Sequence, residues 1–251
     1  MHGQAQQQAY DRGITIFSPD GRLYQVEYAR EAVKRGSPSI GIRTSDGIVL
    51  AADTSTRQLL QERSSVEKIH KADEHIGIAS AGHVADARQL IDFARQMAQI
   101  NRLRYQEPIG IEALSKYVTD HIQQYTQIGG ARPFGSSLII GGIEDGSPRL
   151  FETDPSGTPY EWKAVSIGSD RPKIRAFLEE HYSSDLSLES GIELALKSLA
   201  EASEEGLDPE GVGVATIPVT TALFSPLDSK EVGKYIKKLK LTAKPPSDDK
   251  K

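Results

Sequence analysis

The side chains in this chain that could do chemistry are few, and their spacing rules out several reactions at once. There is no cysteine, so no thiolate nucleophile, thiolate metal site or disulfide framework can form. The six histidines are His2, His70, His75, His83, His121 and His181. None forms a close pair of the H-E-x-x-H kind, so each reads as a surface or hydrogen-bonded core residue rather than a metal ligand. No G-x-S-x-G elbow raises a serine nucleophile. The glycine-rich pieces lack the Lys-Ser/Thr of a phosphate loop, and no G-x-G-x-x-G follows a strand. Neither a metal nor a cofactor is expected.

What remains is one dense stretch, Tyr10 to Gly36, YDRGITIFSPDGRLYQVEYAREAVKRG. Tyr10 and Tyr28 offer flat apolar faces with hydroxyl donors. Asp11 is a charged acceptor beside Arg12, and Pro19 presets φ in a turn. The elements that hold these residues are legible. Tyr10–Phe17 mixes β-branched and aromatic residues and reads as extended. Ser18-Pro19-Asp20-Gly21 is a turn signal. Residues 21–35 turn helical, with Leu23, Val26, Ala29 or Arg30, and Val33 at three- and four-residue steps, and Gly36 reads as the C-cap. Residues 1–9 are Gln-rich and polar, so 1–13 reads as a mobile N-terminal segment.

The rest of the chain alternates hairpins with helix pairs. Ser39–Thr44 and Gly47–Asp53 flank an Asp-Gly turn and read as a β-hairpin. The second run, IVLAAD, is apolar enough to be covered on both faces. Ser55–Ser65 reads as a connection and His75–Ala81 as a short buried strand. Asp86–Arg104 reads as an amphipathic helix with Ala87, Leu90, Ile91, Ala94, Met97, Ala98 and Leu103 near one face. Ile111–Gln127 is a second helix, with Leu114, Val118, Ile122 and Tyr125 on its face and Gly129-Gly130 ending it. Ser137–Ile143, Arg149–Asp154 and Tyr160–Gly168 read as an antiparallel meander. Helices Arg171–Tyr182 and Leu188–Ala202, strands Gly211–Val219 and Thr221–Phe224, and a helix Lys230–Leu241 complete the order. The Pro-Pro-containing tail 242–251 reads as disordered. Paired helices between antiparallel strands argue against a doubly wound sheet and for an α+β fold in one domain, residues 1–241.

Composition narrows the function classes. Thirty Lys and Arg against 35 Asp and Glu give a net charge of −5, which provides no electrostatic pull towards nucleic acid. No apolar run approaches the length of a membrane span. The N-terminus has no apolar h-region of a signal peptide, so a cytoplasmic protein with no membrane partner is expected.

The stretch YDR…FSPDGRLYQVEYAREAVKRG closely resembles the N-terminal signature of proteasome α subunits, the archaeal type in particular. The resemblance continues through VEKI (66–69), SAGHVADAR (80–88), QYTQIGGARPFG (124–135) and RLFETDPSG (149–157), and fades after about residue 217. It implies the four-layer αββα sandwich of two antiparallel sheets, the N-terminal-nucleophile hydrolase fold. Catalytic members of that fold attack with a first-residue Thr, Ser or Cys whose own α-amine is the base. Family alignment brings Ser37 near the nucleophile's position, Asp53 near the supporting acid and Lys68 near the supporting lysine. Ser37 is preceded by a helix and Gly36, and its nitrogen is an ordinary amide. Pro38 follows where catalytic chains carry a small hydroxyl residue. Ser37 therefore reads as inert and the chain as no enzyme by itself: a non-catalytic subunit of a threonine-type endopeptidase complex. Processing to a free Ser37 is the competing hypothesis, and a free-standing ring without a protease partner is another.

The resemblance also implies roles for particular residues. Residues 1–13 would lie over the axial pore of a heptameric ring, with Tyr10, Asp11, Arg12, Pro19 and Tyr28 as the gate cluster; the alternative is that they only cap and staple the first helix. Lys68, Gly36 and Gly82 would line the pocket between neighbouring α subunits that receives the C-terminal hydrophobic–Tyr–any tail of a regulatory AAA ATPase, a lysine being suited to a terminal carboxylate. The alternative for Lys68 is a solvated surface residue. His83 stands where related subunits commonly carry Leu. Tyr125, Gly129 and Gly130 would belong to a loop that narrows the pore. The implied partners are other α subunits, proteasome β subunits, the ATPase, and unfolded protein substrates in transit. The lysines of the last helix (230, 234, 237, 238 and 240) read as a solvated basic face.

Overall fold

The computed structural model describes residues 17–55, 60–62, 66–203 and 205–242. Its elements, in chain order, begin with α1 (Tyr24–Lys34), β1 (Ser39–Arg43), β2 (Gly47–Asp53), β3 (Ile69–Asp73), β4 (Ile76–Gly82), α2 (Val84–Tyr105) and α3 (Ile111–Tyr125). There follow β5 (Ser136–Glu144), β6 (Ser147–Thr153), β7 (Pro159–Glu161), β8 (Ala164–Ile167), α4 (Arg171–His181), α5 (Leu188–Ala202), β9 (Val212–Pro218), β10 (Ser225–Pro226) and α6 (Ser229–Leu239). The strands form two five-stranded sheets, ordered β10-β9-β2-β1-β8 and β3-β4-β5-β6-β7. Every pairing is antiparallel.

Period-two alternation explains the layers. On β2, Ile48 and Leu50 face the second sheet, while Val49 and Ala51 face the helices α4, α5 and α6. On β4, Ile76 and Ile78 face α2 and α3, while Ala79 and Ala81 point between the sheets. Central strands thus feed two cores each, which is why IVLAA carries no polar alternation. The result is the expected four-layer sandwich, helices outside and sheets within. Helix α1 stands at one end, and its Val33 joins the inter-sheet core.

Several details depart from the sequence reading. Strand β3 is absent from that reading, because an edge strand reading IHKAD is half polar and shows no apolar run. The run Tyr160–Gly168 divides into β7 and β8, which lie in different sheets; the chain crosses the sandwich at Trp162-Lys163. Thr221–Phe224 is no strand: Ala222 takes a left-handed φ of 48° in a turn, and the short β10 follows it. Leu103 is 82% exposed, since it lies on the opposite side of α2 from the stripe through Leu90, Ala94 and Ala98. Helix α1 ends at Arg35 in right-handed geometry, and Gly36 is absent from the positive-φ glycines, so it is not a left-handed cap. The extended segment expected at residues 10–17 falls outside the described residues except for Phe17, and the tail lies outside them from residue 243 on.

Candidate functional site

Lys68 is the centre of the site, and it is not a solvated surface lysine. It is 7% exposed. Its Nζ donates to Ser37 O at 2.6 Å, Ser37 Oγ at 3.0 Å and Pro38 O at 3.2 Å. Two strand ends make this possible. Ser80 N on β4 donates to Lys68 O, which fixes the lysine backbone just before β3. Asp53 N at the end of β2 donates to Pro38 O, which fixes the segment entering β1. Burial pushes the Lys68 amine down to about 8, with the Asp53 charge working the other way. No carboxylate among the described residues comes within ion-pair distance of it. Lys68 also lines a cavity of about 590 Å³ with Thr54, Glu67, His70 and Val212.

The same geometry shows why Ser37 is inert. Its Oγ donates to Asp53 O at 2.9 Å and accepts from the Lys68 ammonium. The hydroxyl proton therefore sits on a carbonyl that cannot remove it. The Ser37 nitrogen is bonded to Gly36, so the α-amine base of this fold's catalysts does not exist here. The lysine and hydroxyl are in contact, Asp53 joins them only through its backbone carbonyl while its carboxylate accepts from Ser55 N, and the base is missing. Among the described residues no group of three or more acidic or histidine side chains could hold a metal ion.

Gly36 and Gly82 meet backbone to backbone. A Cβ on Gly36 would lie 2.4 Å from Gly82 N, and a Cβ on Gly82 would lie 2.3 Å from Gly135 O. Gly82 also holds a φ of 104°, which L-residues rarely adopt. Of the three residues expected to share a pocket, Gly36 abuts Gly82 and connects to Lys68 through Ser37, but neither glycine is among the residues lining the Lys68 cavity. His83 lies on the other side of this stack. It is exposed, its N–H donates to Gly135 O at 2.9 Å, and it lines a separate cavity of about 360 Å³ with Tyr28, Asp86, Arg132 and Gly135.

Of the gate cluster, Tyr10, Asp11 and Arg12 lie outside the described residues. Pro19 is exposed in a turn closed by Gly21 N to Ser18 O at 2.8 Å, and Tyr28 is 50% exposed on α1. Of the loop residues, Gly129 and Gly130 have open space around them. Tyr125 does not: it is half-buried, edge-on to His121 at 5.2 Å and to Phe134 at 4.6 Å. Two neighbours escape the sequence reading. Asp86 and Arg132 form a bidentate ion pair of 2.6 and 2.7 Å. A readable signal exists, because Asp86 stands on the same stripe of α2 as Leu90, Ala94 and Ala98. An acid on an apolar face needs a partner.

Comparison with known proteins gives the family. Residues 10–32 match the N-terminal signature of A-type proteasome subunits, and residues 33–217 match the pattern described as "Proteasome subunit". The chain belongs to the proteasome subunit family. It is 70% identical to "Proteasome subunit alpha 1" of Haloferax volcanii over 236 residues, 94% of each chain. It is 70% identical to "Proteasome subunit alpha 1" of Haloarcula marismortui over 92% of this chain and 89% of that one. It is 69% identical to "Proteasome subunit alpha" of Natronomonas pharaonis over 94% and 93%. The chain is thus a non-catalytic α-ring subunit of the proteasome, whose catalytic threonines lie in β subunits. Proteasome subunits of this kind assemble with other α and β subunits.

Proposed function

We propose that this α subunit gates the proteasome: in a heptameric ring, residues 1–13 block the axial pore, and a regulatory AAA ATPase opens it by docking its C-terminal hydrophobic–Tyr–any tail at Gly36, Lys68 and Gly82. The observation that carries this reading is Lys68. A lysine held buried, with its amine pushed down to about 8, costs the fold stability, and such perturbed groups concentrate at functional sites. Lys68 is among the residues lining a cavity, and its ammonium, bonded to Ser37 and Pro38 oxygens, has no carboxylate of its own among the described residues. A docking peptide's terminal carboxylate supplies the missing counter-charge. Gly36, just past the end of α1, abuts Gly82, and Tyr28 in the middle of that helix lines the neighbouring cavity with His83. Displacement there reaches the turn holding Pro19 and the gate ahead of it. Unfolded proteins of the cytoplasm are the substrates this arrangement would admit.

The test uses particles assembled from α and β subunits. Deleting residues 2–12 should raise peptide hydrolysis in the absence of any ATPase. Lys68→Ala should leave that basal rate alone and abolish ATPase stimulation. Unchanged hydrolysis after the deletion refutes the gate, and equal stimulation of Lys68→Ala removes the lysine from docking.

A further inference from the structure

The loop between α3 and β5 is tied at both ends and open in the middle. At its start, Tyr125 packs on His121, which stacks on Phe93 of α2 at 4.2 Å. At its end, Phe134 meets Tyr125 at 4.6 Å and lies over the same histidine at 5.8 Å. Between these anchors Gly129 and Gly130 have no atom near where a Cβ would stand, and Ile128 is 51% exposed. The aromatic anchors hold the base of the loop but do not orient its outgoing arm.

That arm is held by one carboxylate. Asp86, 6% exposed in the first turn of α2, accepts from both Arg132 terminal nitrogens and from Gly135 N at 2.8 Å. Burial opposes its charge, but the Arg132 and Gly135 hydrogen bonds outweigh it and hold the carboxyl below its ordinary range. Gly135 is held a second time, because its carbonyl accepts from His83 N and abuts Gly82. The outgoing arm therefore rests on the backbone that carries the docking glycine.

We propose that Asp86 is the positioning residue of the 126–135 loop: it fixes Arg132 and Gly135, and so sets how far the Ile128–Gly130 tip can swing. On the gating reading above, on which this consequence rests, that tip faces the polypeptide passing through the pore. Asp86 touches no substrate and acts through the loop.

The experiment compares wild-type, Asp86→Ala and Arg132→Ala subunits assembled with β subunits. Amide exchange is followed at Gln127, Ala131 and Gly135, together with hydrolysis of a short fluorogenic peptide and of unfolded casein. Arg132 is 63% exposed at its side chain, so its truncation tests the idea even where Asp86→Ala does not fold. Losing charge-assisted hydrogen bonds should speed exchange at these amides by about tenfold while α1 and β4 stay protected, and should raise casein hydrolysis relative to the short peptide. Unchanged exchange in the loop overturns the proposal. Faster exchange spread through the first turns of α2 also overturns it, because Asp86 is then only a helix-end residue. Faster loop exchange with an unchanged casein-to-peptide ratio supports the clamp and refutes the pore assignment instead.

Discussion

Gly82→Ala is the sharpest perturbation the structure offers, because two independent penalties fall on one methyl group. The new Cβ would lie 2.3 Å from Gly135 O and 3.0 Å from Ser136 Cα, both backbone atoms of a paired strand end. No side chain can rotate out of the way. The residue would also have to hold a φ of 104°, a conformation worth about 1–3 kcal/mol of strain for an L-residue. Relieving the overlap separates β4 from Gly135 and weakens the His83 N to Gly135 O bond, at about 1 kcal/mol. A total of about 2–4 kcal/mol is expected, which in a chain of this size lowers Tm by roughly 4–16 °C. Gly129→Ala is the internal control: nothing stands within 4 Å of its Cβ and its φ is ordinary, so a change within about 0.5 kcal/mol is expected. Thermal unfolding at one fixed protomer concentration reads both. If Gly82→Ala melts within a degree or two of wild type, or Gly129→Ala falls as far, the argued backbone contact is wrong.

Two further outcomes follow from burial. Lys68 binds its proton less tightly folded, at about 8, than unfolded, at 10.5. Between those values the unfolded chain carries more protons, so stability should rise with pH by up to about 3 kcal/mol from this group. Urea titrations should show that rise in wild type and not in Lys68→Met; equal slopes would contradict a buried amine. His121, stacked on Phe93, is pushed below its ordinary 6.5 by burial. Its sign is the same at lower pH: the unfolded chain takes the proton first, so stability falls as pH drops below about 6.5. His121→Phe should lessen that acid loss, and a variant that loses stability in parallel with wild type would place the titration elsewhere, His70 being another histidine lowered by burial.

Much of the fold was legible because its elements follow strong periodicities. The stripe Leu114, Val118, Ile122 recurs in one core, and the Asp-Gly turn between β1 and β2 is signalled by its own two residues. What escaped was set at a distance. The polar strand β3 exists because β4 offers it an open edge. The run after Tyr160 breaks because each half finds its hydrogen-bond partners in a different sheet. Neither fact is visible in a local window of residues.

The site divides the same way. The sequence by itself carried the family, in one long and nearly unbroken signature, and it showed that the chain as written joins Ser37 to Gly36 and so offers no free amine there. Only the tertiary structure decided what Lys68 is. A lone lysine between Glu67 and Ile69 reads as a solvated charge, and it becomes a buried amine only when β1, β2 and β4 converge on it. The structure also decided why Gly36 is glycine. No periodicity records that residues 36, 82 and 135, far apart in the chain, pass within contact of one another. Local propensity is written in neighbouring residues, whereas close approach of distant backbones is settled by the packing of whole layers.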